Sequence, residues 1–291
     1  MYNILKKYKL LSLHIMVLIL GLTGIFGKLI SLSALHLVWY RMLIAFIALF
    51  IFLSIKKDLL KINKYDFLKI LGVGGLVTIH WLCFFQSIKV SNVSIAVVCL
   101  ATSSLFSAII EPIFFKRKLL LYEVFLGIIV LIALAFVMGA EKQYLWGYIY
   151  GILAALLGTL FTLFNAKYIK RVGAAKITMI EMLSGVMIIS LLFIFKGDYT
   201  VFNTSLSYDD LLYLIILGVL CTAMVFVWMT EIMRHISPYS LIMAINLEPI
   251  YSIIIAVIIF GNDEIMSMSF YLGSCVVIGT VFLESYLKNK Q

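Results

Sequence analysis

Runs of about 20 apolar residues recur along this chain, the length a helix needs to cross the hydrocarbon core of a bilayer. One of them, "LVWYRMLIAFIALF" (Leu37 to Phe50), carries a single charge. Of the 291 residues, 64% are hydrophobic and 13% charged, too little polar surface to cover so many runs in water. The chain therefore reads as an integral membrane protein with little left for a soluble domain. Ten candidate spans fall near 10–30, 34–55, 67–88, 93–115, 119–140, 145–170, 175–195, 211–232, 239–260 and 267–287. Their continuous apolar character predicts helices rather than barrel strands, which would alternate. The first span, in "MYNILKKYKLLSLHIMVLILGLTG", has the outline of a secretory signal. Its apolar run is long, more spans follow at once and no small-residue cleavage site stands out, so it reads as a retained span. The longest connection, Lys196 to Asp210, is polar and is expected to project into solvent. It contains Asn203-Thr204-Ser205, a glycosylation pattern that is common by chance.

Charge placement sets the orientation. With the N-terminus inside, seventeen basic residues fall in inside segments, among them Lys6, Lys7, Lys56, Lys57, Lys116 and Arg117. Only Lys89, Lys142 and Lys196 fall outside. Basic residues favour cytoplasmic loops, so both termini are expected in the cytoplasm, beneath a plasma (inner) membrane. The formal net charge of +9 then reflects topology and contact with anionic lipid, and calls for no nucleic acid. Cys83, Cys99, Cys221 and Cys275 lie within spans at no metal-ligand spacing and read as apolar packing. Neither a metal nor another cofactor is expected.

The chain resembles itself across its middle. "SLFSAIIEPIFF" (Ser104 to Phe115) lies over "PIYSIIIAVIIF" (Pro249 to Phe260), and "FLGIIVLI" (Phe125 to Ile132) over "YLGSCVVI" (Tyr271 to Ile278), at an offset of 145 to 146 residues. Ser91-Asn92-Val93-Ser94 is set against Ser237-Pro238-Tyr239-Ser240, and Lys28 matches Lys167 at an offset of 139. In this register Pro249 faces Ser104 and Glu111 faces Ala256, so the two Glu-Pro pairs, Glu111-Pro112 and Glu248-Pro249, are not equivalent. Two units follow, 1–140 and 141–291, of five spans each. Five is odd, so the second unit must enter the membrane from the opposite side. The expected fold is all-α, ten transmembrane helices as two inverted five-helix repeats, with a substrate site near the midplane between them.

The same stretches carry a resemblance to the drug/metabolite transporter superfamily, specifically to proteins with two EamA-type repeats. Leu37 to Phe50 resembles that family's arginine-led second span. "ISPYSLIMAINLEPIYSIIIAVIIFGNDEI" (Ile236 to Ile265) is similar to its ninth, with a Leu-Glu-Pro centre and a Gly-x-x-Glu end, and "YLGSCVVIGTVFLE" to its tenth. The likeness covers nearly the whole chain. One departure is "FKRKL" (Phe115 to Leu119), where the first repeat usually reads Gly-Glu-Arg-Leu, so any role of that acid has no bearer in the first half. The resemblance implies a secondary-active or facilitative carrier, exporting or exchanging small metabolites, amino acids or drugs. It implies alternating access with each five-span half rocking against the other. Spans one, three and four of each half would line the cavity, with spans five and ten packed behind. The alternative is a nucleotide-sugar or other organic-anion exchanger of the same superfamily, since Lys28 and Arg41 suit phosphate. The expected partners are a small-molecule substrate and the bilayer. Protons as coupling ion and plain facilitated exchange both stay open, and the chain is expected as a monomer or weak homodimer.

Ionisable groups within spans are the functional candidates, because each costs free energy unless paired or hydrated. Glu248 lies nine residues past Tyr239, roughly 14 Å deep, and cannot snorkel. Pro249 lacks an N–H and frees a carbonyl near Ile245, a broken backbone tolerated at depth where it lines a cavity or is covered by protein. Glu248 and Asn246 either line a cavity or form a buried structural pair. At 100° per residue they sit on different faces of a continuous helix, so only one is expected to meet substrate. Arg41 and His80 fall at similar depths, roughly 10 Å from the outer side and about 20 Å up from the inner side, with Trp81 adjacent. Arg41 has three readings: a partner for Glu248, a structural group, or an anion ligand. His80 reads equally as packing or site. Lys28, near the outer end of span one, is either a pathway residue or a snorkelling one. Lys167 with Glu181, and Glu231 with Arg234, are expected as structural ion pairs, and Glu111 is expected to reach the inner interface near Lys116 to Lys118. Trp81, Phe84, Phe85, Trp228 and Tyr251 either line an apolar pocket or face lipid. Gly147, Gly151, Ala154, Ala155 and Gly158 mark span six as a close-packing helix. The sequence has no phosphate loop, no His-Glu-x-x-His pair and no Gly-x-Ser-x-Gly elbow, and its four histidines (His14, His36, His80, His235) are scattered singly. An enzyme is therefore not expected, and nothing resembles a channel's selectivity filter.

Overall fold

The computed structural model describes residues 9–58, 62–198, 200–203 and 206–288. In chain order the helices are α1 (Lys9–Leu29), α2 (Ala34–Ile55), α3 (Lys64–Val90), α4 (Val93–Leu100), α5 (Ser103–Phe115), α6 (Leu121–Ala140) and α7 (Leu145–Tyr168). There follow α8 (Ala174–Lys196), a short α9 (Thr200–Asn203), α10 (Tyr208–Gly218), α11 (Val225–Ile232), α12 (Pro238–Ile245), α13 (Glu248–Phe260) and α14 (Met268–Lys288). No strand forms among the described residues, and nine segments there are long and apolar enough to cross a membrane. A shorter apolar helix, Met268–Leu283, stands where the tenth was expected. Polar caps start the spans where the sequence places them. Ser33, Asn63, Asn92, Ser207 and Ser237 each accept a hydrogen bond from a backbone N–H of the first turn, which satisfies a donor the helix cannot.

Spans four, eight and nine are interrupted. Span nine breaks at Asn246 and Leu247, between α12 and α13, because Pro249 has no N–H to give the Ile245 carbonyl. Span four breaks at Ala101 and Thr102, between α4 and α5, without a proline. There three successive hydroxyls turn back on carbonyls three residues earlier: Thr102 to Cys99 at 2.7 Å, Ser103 to Leu100 at 2.5 Å and Ser104 to Ala101 at 2.8 Å. Ala101 and Asn246 are 145 residues apart, the repeat offset. They also touch, since Asn246 Nδ2 donates to the Ala101 carbonyl at 3.4 Å. The caps Asn92 and Ser237 are 145 apart as well, which shifts the expected pairing of Ser91 with Ser237 by one residue. Span eight carries a π-helical turn, Val219–Met224, between α10 and α11.

Contacts at the two ends of the bundle fix the direction of the helices. At one end Lys28 meets Glu264 at 2.9 Å, Ser31 meets Asp210 at 2.6 Å, and Glu141 accepts from Ser267 N–H at 3.0 Å. At the other, Arg117 meets Glu111 and Glu123 at 3.1 and 2.6 Å, Arg171 meets Asp66 at 3.3 Å, and Lys176 meets Asp58 at 2.6 Å. The C-terminus of α1 thus lies at the Lys28 end, whereas its counterpart α7 runs into Arg171 at the Arg117 end. The two repeats are inverted.

They are not separate lobes. The most extensive helix interface joins α3 to α7, and α2 and α3 both pack on α8, α1 on α13, and α6 on α14. All of these contacts cross between halves. The apolar core, with Leu37, Phe85, Tyr148, Ile180 and Cys221 all at 0% exposure, is built jointly by both repeats. The loop after α8, expected to project, is held to the bundle at Thr200 and Val201. Tyr40 donates to the Val201 carbonyl at 2.6 Å and His36 Nε2 lies 3.1 Å from Thr200 Oγ1, which lays α9 against α2. Within its glycosylation pattern, Thr204 and Ser205 lie outside the described residues.

Candidate functional site

Where the two broken spans meet, a central cavity of about 90 Å³ opens. It has room for several waters, yet is smaller than the roughly 300–1,000 Å³ of a typical small-molecule site. Its walls come from α1, α3, α4, α5, α7, α11, α12 and α13, with Arg41 from α2. Helices α6 and α14 contribute no lining residue.

Glu248 and Asn246 both line this cavity, at 5% and 3% exposure. The expectation that only one would reach it assumed a continuous helix. The turn at 246–247 removes the 100° spacing and brings both side chains to the same space. Glu248 stands in the first turn of α13, where the orphan N–H groups favour negative charge. Pro249 is buried behind the lining and acts through the backbone.

Arg41 is 1% exposed and lines the opposite wall. Its Nε donates to Thr222 Oγ1 at 2.6 Å and its Nη2 to the Cys221 carbonyl at 3.4 Å. The guanidinium lies 3.8 Å from the Trp81 ring centroid and 5.3 Å from that of Phe85, at cation–π distance. Both oxygen partners come from the π turn of span eight, where the Thr222 hydroxyl also donates to the Leu217 carbonyl at 2.6 Å. Single π turns of this kind mark many functional sites. Nη1 of Arg41 is buried without a partner, and no ion pair within 4.0 Å joins Arg41 to Glu248 among the described residues. The two charges therefore face the cavity separately.

His80 is held by the second repeat. Its Nδ1 lies 2.7 Å from the Ala154 carbonyl, which can only accept, so Nδ1 carries hydrogen and Nε2 is left to the cavity. An aromatic wall continues from it: His80 to Phe161 at 5.2 Å, Phe161 to Phe226 at 5.9 Å, Phe226 to Trp81 at 4.9 Å between centroids. Trp81 and Phe84 line the cavity, whereas Phe85 packs behind Arg41 and the Tyr251 hydroxyl bonds His14 at 2.8 Å. Thr222, Thr162, Ser103 and the two second-repeat phenylalanines were not singled out from sequence. The register that sets Ser104 against Pro249 could have pointed to Ser103.

The remaining charged residues lie elsewhere. Lys28 is outside the cavity, paired to Glu264 and 4.5 Å from the Phe260 ring centroid. Lys167 and Glu181 form no ion pair: Lys167 is exposed with its ammonium 5.8 Å from the Phe114 ring, and Glu181 is fully buried. Arg234 Nε lies 2.9 Å from Glu231 Oε1.

Glu264 does more than bind Lys28. Its carboxylate accepts from the N–H of Val93 and of Ser94 and from the Ser94 hydroxyl, at 2.9, 3.0 and 2.7 Å, capping the N-terminus of α4 in the other repeat. Its positional counterpart is Leu119, in the departing "FKRKL". The counterpart in space is Glu111, whose Oε2 accepts from Tyr239 N–H at 2.6 Å at the start of α12, while Arg117 holds its other oxygen. Ser94 and Tyr239 are 145 residues apart. The acid missing from the family's usual place is thus replaced by one two turns earlier, and each broken span is capped by a carboxylate from the opposite half.

An inverted duplication around a mid-membrane cavity, walled by broken helices, is the build of a membrane carrier. The chain matches the EamA-like transporter family twice, over residues 7–139 and 145–286, and belongs to that family, within the drug/metabolite transporter superfamily. It is 24% identical over 264 residues to an uncharacterized transporter of Bacillus subtilis, YxxF, covering 88% of this chain and 83% of that one. A second likeness, 34% over 95 residues, is to an uncharacterized transporter of Haemophilus influenzae and spans 32% of this chain and 31% of that protein. A crystal structure 14% identical in sequence superposes with a TM-score of 0.71 over 95% of this chain and 96% of its own, a likeness of fold. The protein is a membrane transporter with a small-molecule substrate.

Proposed function

We propose that the chain, as two duplicated units 1–140 and 141–291, carries a small amphipathic metabolite across the plasma membrane by alternating access, in the direction of export or by exchange. The observation that carries this reading is a cavity at the contact of two broken spans, each of which is capped at its N-terminus by a carboxylate from the opposite repeat. In this proposal the moving bodies are mixed bundles. Each is drawn from both repeats, a grouping supported by the packing of α3 on α7, of α2 and α3 on α8, and of α1 on α13. Breaking the Glu264 cap opens the Lys28 end, and breaking the Glu111 cap opens the Arg117 end. The basic segments beside Lys57, Lys116 and Arg171 support an orientation with the Arg117 end in the cytoplasm.

Cavity chemistry narrows the substrate. Arg41 offers an unused N–H, Glu248 a carboxylate, Asn246 an amide, and Trp81, Phe161 and Phe226 an apolar wall. A solute with a carboxylate, an amine and an apolar body, such as an apolar amino acid, matches that set. Nucleotide sugars are the less favoured reading, because Lys28 is engaged by Glu264 away from the cavity. The test is counterflow in vesicles reconstituted with the pure protein and loaded with apolar amino acids or with nucleotide sugars. Saturable exchange of the former is expected. Exchange confined to nucleotide sugars would replace the substrate assignment, and flux without saturation or counterflow would replace the carrier by a channel.

A further inference from the structure

A second carboxyl lies deep in the spanning region, away from the cavity. Glu181 stands seven residues into α8, about 10 Å from its start, and is 0% exposed. Its carboxyl faces the side-chain amide of Asn165, also 0% exposed, within hydrogen-bonding reach of it. Beyond that mutual approach, Glu181 Oε1 and Oε2 and Asn165 Oδ1 and Nδ2 are all buried with no partner. The third wall is the crossing with α3: a Cβ on Gly74 would come within 2.8 Å of the Glu181 backbone and 2.5 Å of Ser184 Cβ.

Among the described residues no cation pairs with the carboxyl. Lys167 of α7 points out over Phe114. Of the groups on α3, Asp66 binds Arg171, Lys69 lies over Tyr65, His80 is held by Ala154, and Lys89 donates to the Ile30 carbonyl. Arg41 of α2 faces the cavity, held by Thr222 and Trp81, while Glu231 of α11 pairs with Arg234 and Lys176 of α8 with Asp58. An ionised carboxylate here would be a buried charge with at most one amide donor, while the Asn165 carbonyl oxygen would face a negative oxygen.

We propose that Glu181 and Asn165 form a proton-binding site. One proton satisfies the whole quartet: the Glu181 O–H donates to Asn165 Oδ1, and Asn165 N–H donates to the other Glu181 oxygen, closing an acid–amide ring. Asn165 lies one turn past Thr162 of the cavity wall, toward the Arg117 end, so the proton loads from that face when the Glu111 cap releases α12. Use of this proton as a coupling ion rests on the transport reading above; its occupancy does not.

Infrared spectroscopy of the full chain in lipid vesicles at neutral pH tests the site. A protonated-carboxyl band is expected that Glu181→Gln removes. Asn165→Leu should keep the band but move it to the higher frequency of an acid without a partner. Glu181→Asp serves if the glutamine variant does not fold, and should shift the band. A protonated-acid region unchanged by every substitution at 181 overturns the site, and leaves the counterflow test of transport untouched. Transfer to heavy water reads the access route. Exchange of the band hastened at least several-fold by Glu111→Ala and not by Glu264→Ala is expected, and the reverse order, or no effect of either, overturns loading from the Arg117 end.

Discussion

At the scale of single residues the cavity holds a carboxylate and a guanidinium that feel each other's charge without a direct ion pair among the described residues. Glu248 faces that cavity, so Glu248→Gln should lower counterflow at least tenfold while expression and monodispersity stay at wild-type level; transport unchanged by it would remove Glu248 from the mechanism. Arg41 is different, because two of its three nitrogens hold the π turn of span eight. Thr222→Val leaves the buried Nε–H without its acceptor, a cost of about 1–3 kcal/mol. It should lower the thermal midpoint of the purified protein as well as transport. Arg41→Lys should lose more, since an ammonium cannot bridge Thr222 and Cys221 while stacking on Trp81. Binding constants for a counterflow substrate, measured beside thermal midpoints, separate the two roles.

Among the elements, close helix crossings decide where small residues are required. At Gly74 a methyl group would meet the α8 backbone, and at Gly127 it would come within 2.6 Å of Leu105 Cα. Neither neighbour is a flexible tip, so Gly74→Ala and Gly127→Ala should each cost about 1–3 kcal/mol by overpacking. Gly72 and Gly139 have nothing within 4 Å of a new Cβ, and alanine there should be neutral or stabilise by about 0.4–1 kcal/mol. Thermal midpoints of the four variants in one detergent check the contrast. Equal losses at all four would mean that helix propensity, not packing, sets the glycines. The breaks are a second property of this scale. Proline made the one in span nine legible from sequence. Span four reaches the same geometry with hydroxyls returned to the backbone, and nothing in "CLATSSL" distinguishes that from an ordinary helix.

For the whole molecule, the two carboxylate caps are the switch that the proposed alternating access would use. With the four native cysteines replaced and a cysteine at 84, Glu264→Ala should raise labelling by an impermeant thiol reagent from the Lys28 face. Glu111→Ala should raise it from the Arg117 face, each several-fold. Increases from one and the same face for both variants would refute reciprocal closure. Tags on both termini should be reached from the Arg117 face only.

The sequence by itself determined the membrane class, the helical spans, the duplication and its inversion, because hydrocarbon thickness, backbone satisfaction and an odd number of spans leave little choice. It also located Glu248 and Asn246 near the middle of a span and Arg41, His80 and Trp81 at a depth similar to one another, since depth follows from counting residues. What only the tertiary structure decided was lateral: which faces meet. Interleaving of the repeats, the partnering of Arg41 with a π turn, the exclusion of Lys28 from the cavity and the capping of α12 by Glu111 all depend on contacts between residues more than a hundred positions apart, or on a helix that stops being regular. Helical periodicity carries no record of either.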